Sequence, residues 1–287
     1  MPYESITIDS MMLTRKELTM SKPHFVVVHG VQLGSDKDIQ SAEQIKKLIQ
    51  NTLNNIPTNK EFETLSVKYE DDNDEAQQPY QCLLKALTLE SPLIANALNQ
   101  IIDIVGDVIT ASKGSELAGK IRKKIKAQII ESHNNGHSIY LVAHSLGTIY
   151  CLDVIRELME QDEYFKGDDV TTWPVRGFIT LGSPLGLTKI FKRRALPHLE
   201  KSTYKKFIWH NFYHPFDPVV SGSIFGAPLS GKCAKGPVED IYQELAVASK
   251  WRLQGHSTVD DKQWLFAHMS YWDEPVVGNV LYDMAWR

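Results

Sequence analysis

Ala143-His144-Ser145-Leu146-Gly147 sets a serine two positions after one small side chain and two positions before another. The flanking residues say what that spacing serves. Upstream, residues 138–143 (Ser-Ile-Tyr-Leu-Val-Ala) form a short, mostly apolar run that reads as a buried strand. Downstream, Leu146, Ile149, Leu152, Val154, Ile155 and Leu158 recur at helical spacing. A sharp strand-to-helix turn lifts a serine side chain clear of the backbone. It also brings strand and helix so close that the residues two before and two after must be small. The helix N-terminus adds backbone N–H groups and the positive end of a dipole beside any negative charge developing there. The chemistry implied is nucleophilic attack on a carbonyl, with the Leu146 N–H holding the oxyanion. Ala143 stands where glycine is usual, a departure of one methyl group. A serine that only caps the next helix is the plainer alternative; the strand before it and the amphipathic helix after it favour the catalytic role.

A second oxyanion donor is expected from the turn after an early strand. Residues 24–30 (His-Phe-Val-Val-Val-His-Gly) are such a run, and His29-Gly30-Val31 closes it. Gly30 permits a tight turn, and Val31 is the candidate N–H donor. Taken alone the turn would be an ordinary strand ending; paired with Ser145 it becomes functional.

A serine hydroxyl needs a histidine to take its proton, and that histidine needs a carboxylate to fix its tautomer. In sites of this kind the chain order is serine, acid, histidine. Asp217, between Pro215 and Pro218 after an expected strand, is the candidate acid, the alternative being a simple Asx-type turn. His256 and His268 both follow it. His268 is preferred because a helix-like stretch follows it, with the last strand expected to precede both; His210 and His214 come before Asp217.

The elements that must position these groups can be read in outline. Ile39, Ala42, Ile45, Ile49 and Leu53 predict a helix over 38–53. Strands are expected at 62–69, 175–181 and 206–212, with a weaker one at 239–246. Residues 71–75 read as a solvated acidic loop, without the spacing or glycine of an EF-hand calcium site. Residues 82–130 read as mostly helical, with a basic stripe at 120–126, and Asn134-Asn135-Gly136 as a turn. Residues 222–236 read as an irregular loop. Alternating strands and helices imply a mostly parallel sheet covered on both faces.

The 287 residues suit one large domain spanning 1–287, and the net charge of −4 gives no reason to expect a nucleic-acid partner. Three widely spaced cysteines, Cys82, Cys151 and Cys233, do not form a disulfide framework and suit a reducing compartment. The first twenty residues lack a signal-peptide core, and the most apolar stretch, 93–111, carries Asp103 and Asp107. A cytoplasmic location is therefore expected. No metal-ligand spacing is present, and the chemistry outlined needs no cofactor.

Five pieces in order resemble the serine esterases and lipases of the α/β-hydrolase superfamily, nearest to lipase-like proteins with an Ala-His-Ser-Leu-Gly nucleophile elbow. They are Val26 to Gly30, Gly106-Asp107-Val108, Val142 to Gly147, Leu181-Gly182-Ser183-Pro184-Leu185-Gly186, and Asp217-Pro218-Val219 together with His268-Met269-Ser270-Tyr271-Trp272. The resemblance implies the α/β-hydrolase fold, a Ser145–His268–Asp217 triad, and an oxyanion hole of Val31 and Leu146. It places His29, Gly30, His144 and Gly147 in the turns around them. Helical lid or cap segments are expected around 82–115 and 185–205. The Tyr-Trp pair after His268 is a weaker signature than the elbow. The substrate expected is a small-molecule or lipid ester. Lys189, Lys192, Arg193 and Arg194 are candidates to receive an anionic head group, with peripheral membrane contact, against the alternative of a solvated basic helix face. An acyltransferase or thioesterase using the same triad, and a catalytically silent fold that binds a partner, are the competing functions.

Overall fold

A strand buried on both faces reads as a continuous apolar run rather than an alternating one. In the computed structural model, β1 (Pro23–Val28) and β3 (Ser138–His144) are of this kind, with Phe25, Val26, Val28, Leu141, Val142 and Ala143 wholly buried. The structure describes residues 22–30, 36–56, 59–67, 116–161, 164, 173–184, 208–214, 217, 220, 223–224, 227–228, 252–257 and 267–287.

Among the described residues the main sheet has six strands, all parallel: β1, β3 and the four whose ranges follow, in the order β2-β1-β3-β4-β5-β8. The remaining main-sheet strands are β2 (Glu63–Ser66), β4 (Val175–Leu181), β5 (Ile208–Tyr213) and β8 (Arg252–Ser257). Two two-residue strands, β6 (Ser223–Ile224) and β7 (Ala227–Pro228), form an antiparallel pair of their own. That pairing lies inside the stretch expected to be an irregular loop.

Helices cover both faces. On one, α1 (Asp36–Asn54) and the C-terminal α5 (Pro275–Trp286) set Ala42, Ile45, Ile49, Val277 and Leu281 against Phe25, Val27, Val142, Ile179 and Phe212. On the other, α2 (Glu116–Asn134) and α3 (Gly147–Met159) pack on β1 and β3, and Ser132 hydrogen-bonds the ring of His24 at 3.1 Å. Each fully buried Ile or Phe in these layers is worth about 1.5–3 kcal/mol of burial.

From β1 the chain moves outward to β2; it later returns on β1's other side as β3 and continues through β4, β5 and β8. The reversal lies between β1 and β3, and ligands of open parallel sheets bind at the carboxyl ends of the strands at such a point. His29-Gly30 leaves one of these strand ends and Ser145 the other.

The edge strand β8 corrects one expectation: His256 lies within the last main-sheet strand rather than after it. Arg-Leu-Gln-Gly-His-Ser carries no apolar run; among the described residues β8 pairs only with β5, and a strand paired on one side is under weaker demand for burial. The expected strand at 239–246, the acidic loop at 71–75, the lid segments at 82–115 and 185–205, Gly106 to Val108, Cys82, Cys233, Val31 and the basic residues Lys189, Lys192, Arg193 and Arg194 lie outside the described residues. Among the described residues no helix is long and apolar enough to cross a membrane.

Candidate active site

Ser145 sits between β3 and α3 with φ of +52°, the only positive φ of any non-glycine residue described. Left-handed backbone costs an L-residue about 1–2 kcal/mol, so it persists only where its surroundings fix it. Here they do. The Ser145 N–H donates to the Leu181 carbonyl at 2.9 Å, and its own carbonyl accepts from Thr148 N at 3.1 Å and Thr148 Oγ1 at 2.7 Å. The Thr148 hydroxyl also lies 2.8 Å from Ser183 Oγ, which ties the elbow to the turn after β4.

Close packing explains the small residues of the motif. A Cβ on Gly147 would fall 2.5 Å from the His29 carbonyl oxygen and 2.6 Å from that of Val28, so α3 can begin this near β1 only with glycine there. Ala143 is wholly buried, in register with Val28 and Thr180 on the neighbouring strands. Gly30 presses on the serine itself: a Cβ there would lie 2.7 Å from Ser145 Cβ and 3.1 Å from both Ser145 Oγ and Leu146 N. The β1 turn and the Leu146 amide thus flank the serine oxygen. The His29 ring spans this turn, its Nδ1–H donating to the Gly30 carbonyl at 2.6 Å, and burial lowers its pKa to about 4 against that bond's opposing effect.

The candidate acid and base arrive from the far half of the sheet. Beyond β5, Asp217 N donates to the His214 carbonyl at 2.9 Å in a tight turn, and the Asp217 side chain is completely buried. His268, in the one-turn helix α4 (Ala267–Ser270), donates Nδ1–H to Asp217 Oδ2 at 2.9 Å. That bond fixes the tautomer: in the neutral ring Nδ1 carries the proton and Nε2 the lone pair. Tyr271, in the 3₁₀ turn Tyr271–Asp273, donates its hydroxyl to the same Oδ2 at 2.7 Å and accepts from His214 N at 2.8 Å. Gly182, at φ of +55°, covers the pair; a Cβ there would come 3.0 Å from Asp217 Oδ2 and 3.1 Å from His268 Nδ1.

His144 and His256 have other partners. His144 donates Nε2–H to the His268 carbonyl at 2.8 Å, and burial foremost, then the nearby His268, holds its pKa well below the ordinary histidine value. His256 stacks on Phe212 at 4.5 Å and its Nε2 lies 2.8 Å from His210 Nδ1, so its partners are on β5 rather than at Asp217. Cys151 on α3 is a poor candidate nucleophile, since complete burial pushes its thiol far up. Among the described residues no cluster of His, Cys, Asp or Glu could hold a metal ion.

Sequence reasoning missed the roles of Thr148, Gly182, Ser183, Tyr271 and His144 toward the neighbouring backbone. The Gly-Ser-Pro and Tyr-Trp pieces had marked the places without saying what the side chains did there.

No protein-family model matches the chain, and no curated protein matches its sequence. Solved structures are similar to it in three dimensions. The product of the Listeria innocua gene lin2722 is 9% identical, with 93% of this chain and 95% of that chain covered at a TM-score of 0.47. A dienelactone hydrolase from Anabaena variabilis is 12% identical, over 93% of this chain and 86% of that one, TM-score 0.41. Est1E from Butyrivibrio proteoclasticus is 13% identical, over 95% and 92%, TM-score 0.38. The chain's own parallel sheet, helices on both faces and left-handed serine between β3 and α3 are those of the α/β-hydrolase fold.

Proposed function

We propose that this chain is a serine-dependent carboxylic-ester hydrolase of lipase or lysophospholipase type, working through an acyl-enzyme on Ser145. The observation that carries the reading is the backbone of Ser145. Its left-handed φ of +52° is held by hydrogen bonds from β4 and α3 directly against Gly30. Such strain, kept at a strand-to-helix turn at the sheet's switch point, supports a nucleophile rather than a capping serine.

In the proposed reaction, His268 Nε2 takes the hydroxyl proton as Ser145 Oγ bonds to the ester carbonyl carbon. The oxyanion is held by the Leu146 N–H and, from the turn after β1, the Val31 N–H. Collapse breaks the carbon–oxygen bond, and His268 returns the proton to the leaving alcohol. Water, activated by the same nitrogen, then releases the acid and restores the serine. Asp217, pulling on Nδ1, stabilises the imidazolium in both halves of the cycle.

The test is labelling with a fluorophosphonate, wild type beside Ser145→Ala, followed by turnover of a panel of esters of graded acyl length and head group. Labelling at Ser145, and a loss of about 10⁴–10⁶-fold in kcat for Ser145→Ala, are expected. Asp217→Asn and His268→Ala should be severe and His256→Ala mild. A folded protein that hydrolyses esters normally without its Ser145 hydroxyl would end the proposal.

A further inference from the structure

The residue just before the nucleophile does something the triad does not require. His144 is 3% exposed, and its ring lies 4.7 Å from that of His268 and 5.0 Å from that of Trp272. Its Nε2 meets the His268 carbonyl oxygen at 2.8 Å. A carbonyl can only accept, so the proton of that bond belongs to Nε2. A neutral imidazole has only one proton, so Nδ1 is bare, and it finds no hydrogen-bond partner among the described residues. The ring is thus held in a single tautomer. Burial also keeps it neutral, so no like charge opposes an imidazolium forming on His268.

The position of this bond is informative. Ser145 and His268 are 123 residues apart in the chain (268 − 145) and come from opposite halves of the sheet. The His144–His268 bond joins the residue adjoining the nucleophile to the backbone of the base itself. It links the elbow to the base-bearing segment independently of Asp217, which holds the base by its side chain and is itself held by Tyr271.

We propose that His144 is a positioning residue that sets the base-bearing segment 268–272 in register with the nucleophile elbow by donating its Nε2 proton to the His268 carbonyl. The inference rests on the serine-hydrolase reading. It requires a neutral donor at this point and no proton transfer by His144 itself. Glutamine places an amide N–H at about the reach of Nε2, whereas leucine fills similar space with no donor.

The experiment compares His144→Gln and His144→Leu with wild type, using the second-order rate of fluorophosphonate labelling at Ser145 and kcat and KM for a short-chain nitrophenyl ester. His144→Leu should label about 10–100-fold more slowly and lose kcat by the same factor, with KM within about two-fold, as for a misplacement of the reacting groups. His144→Gln should stay within about three-fold of wild type, with an unchanged pH profile of labelling. Wild-type rates in His144→Leu, a glutamine variant as poor as leucine, or a moved pH profile in the glutamine variant would each overturn the proposal. Should the leucine variant fail to fold, nitrogen-15 NMR of histidine-labelled wild type decides independently of activity. It should show a slowly exchanging Nε2–H on His144, the ring staying neutral below the ordinary histidine pKa; an Nδ1–H tautomer, or protonation near pH 6.5, would overturn the inference. Wild type that is folded but unlabelled at Ser145 would remove the hydrolase reading, and the positioning role with it, whatever the tautomer.

Discussion

The Tyr271 hydroxyl donates to Asp217 Oδ2 at 2.7 Å, on the same carboxylate oxygen that receives His268 Nδ1–H at 2.9 Å. Tyr271 lies three residues after His268, so the segment that carries His268 also holds Asp217, and through His214 N it holds the turn that presents Asp217. Tyr271→Phe removes both bonds while keeping the ring that packs on Gly182. Hydrogen bonds to charged groups are worth about 1.5–3 kcal/mol each, and neutral ones about 1 kcal/mol. The variant should lose ~2–3 kcal/mol in urea unfolding and about ten-fold in ester turnover. A stability within 0.5 kcal/mol of wild type, a threshold set well below one such bond, would show that the phenol is not holding the carboxylate.

On the proposed function Ser145 pairs a nucleophilic hydroxyl with a left-handed backbone, and the two can be separated by substitution. Glycine tolerates φ of +52° without the steric cost that serine or alanine pays. Ser145→Gly and Ser145→Ala should both be inactive, but the glycine variant should be the more stable of the two by about 1 kcal/mol. Part of that gain is offset by the greater freedom of glycine in the unfolded chain. Thermal unfolding of the two variants side by side measures the difference. An alanine variant more stable than the glycine one would mean that the turn relaxes out of the left-handed region when the hydroxyl is lost.

The elements that form the centre of the sheet were legible because burial on both faces leaves a continuous apolar run. Residues 175–181 were expected as a strand, and β4 is Val175–Leu181; α1 and α3 announced themselves by apolar spacing. What stayed hidden depends on long-range pairing. β8 is a polar strand whose partner is β5, so nothing local marks it, and His256, expected to follow the last strand as the alternative base, lies within it beside His210. In the site, the elbow was legible since its steric demands act within five residues. The hydrogen bonds of Tyr271 and His144 reach 54 and 124 residues along the chain, and no spacing rule encodes them.

Buried neutral histidines make this fold sensitive to acid. Burial holds His29 at about 4 and His144 well below the ordinary value of 6.5, and lowers His256 and His24 as well. In the unfolded chain each takes a proton near pH 6.5, before its folded counterpart does. Their contribution is therefore complete above pH 6.5 and is lost as pH falls from there toward the folded values. Each such histidine contributes a slope of up to about 1.4 kcal/mol per pH unit. Unfolding free energy from urea titrations should fall steeply between pH 6.5 and 5.0. His29→Asn, whose amide can replace Nδ1–H toward the Gly30 carbonyl, should flatten that slope by about one proton's worth. An unchanged slope would mean that His29 already takes its proton in the folded state.

Two glycines at helical positions should respond in opposite ways to the same methyl group. Gly119, within α2, has no described atom within 4 Å of an added Cβ. Gly119→Ala should therefore stabilise the protein by about 0.5–1 kcal/mol through helix propensity alone. At Gly147 the added Cβ would meet two backbone carbonyl oxygens, of His29 and Val28, at 2.5 and 2.6 Å. Neither can turn aside as a side chain could, so α3 must move off β1, carrying Leu146 and Ser145 away from Gly30. Gly147→Ala should cost at least about 3 kcal/mol, the upper end for overpacking, and slow labelling of Ser145 by about 100-fold. Urea unfolding of both variants with fluorophosphonate labelling of each measures the contrast. If Gly147→Ala were as harmless as Gly119→Ala, the close contact of α3 with β1, and with it the tight elbow, would be wrong.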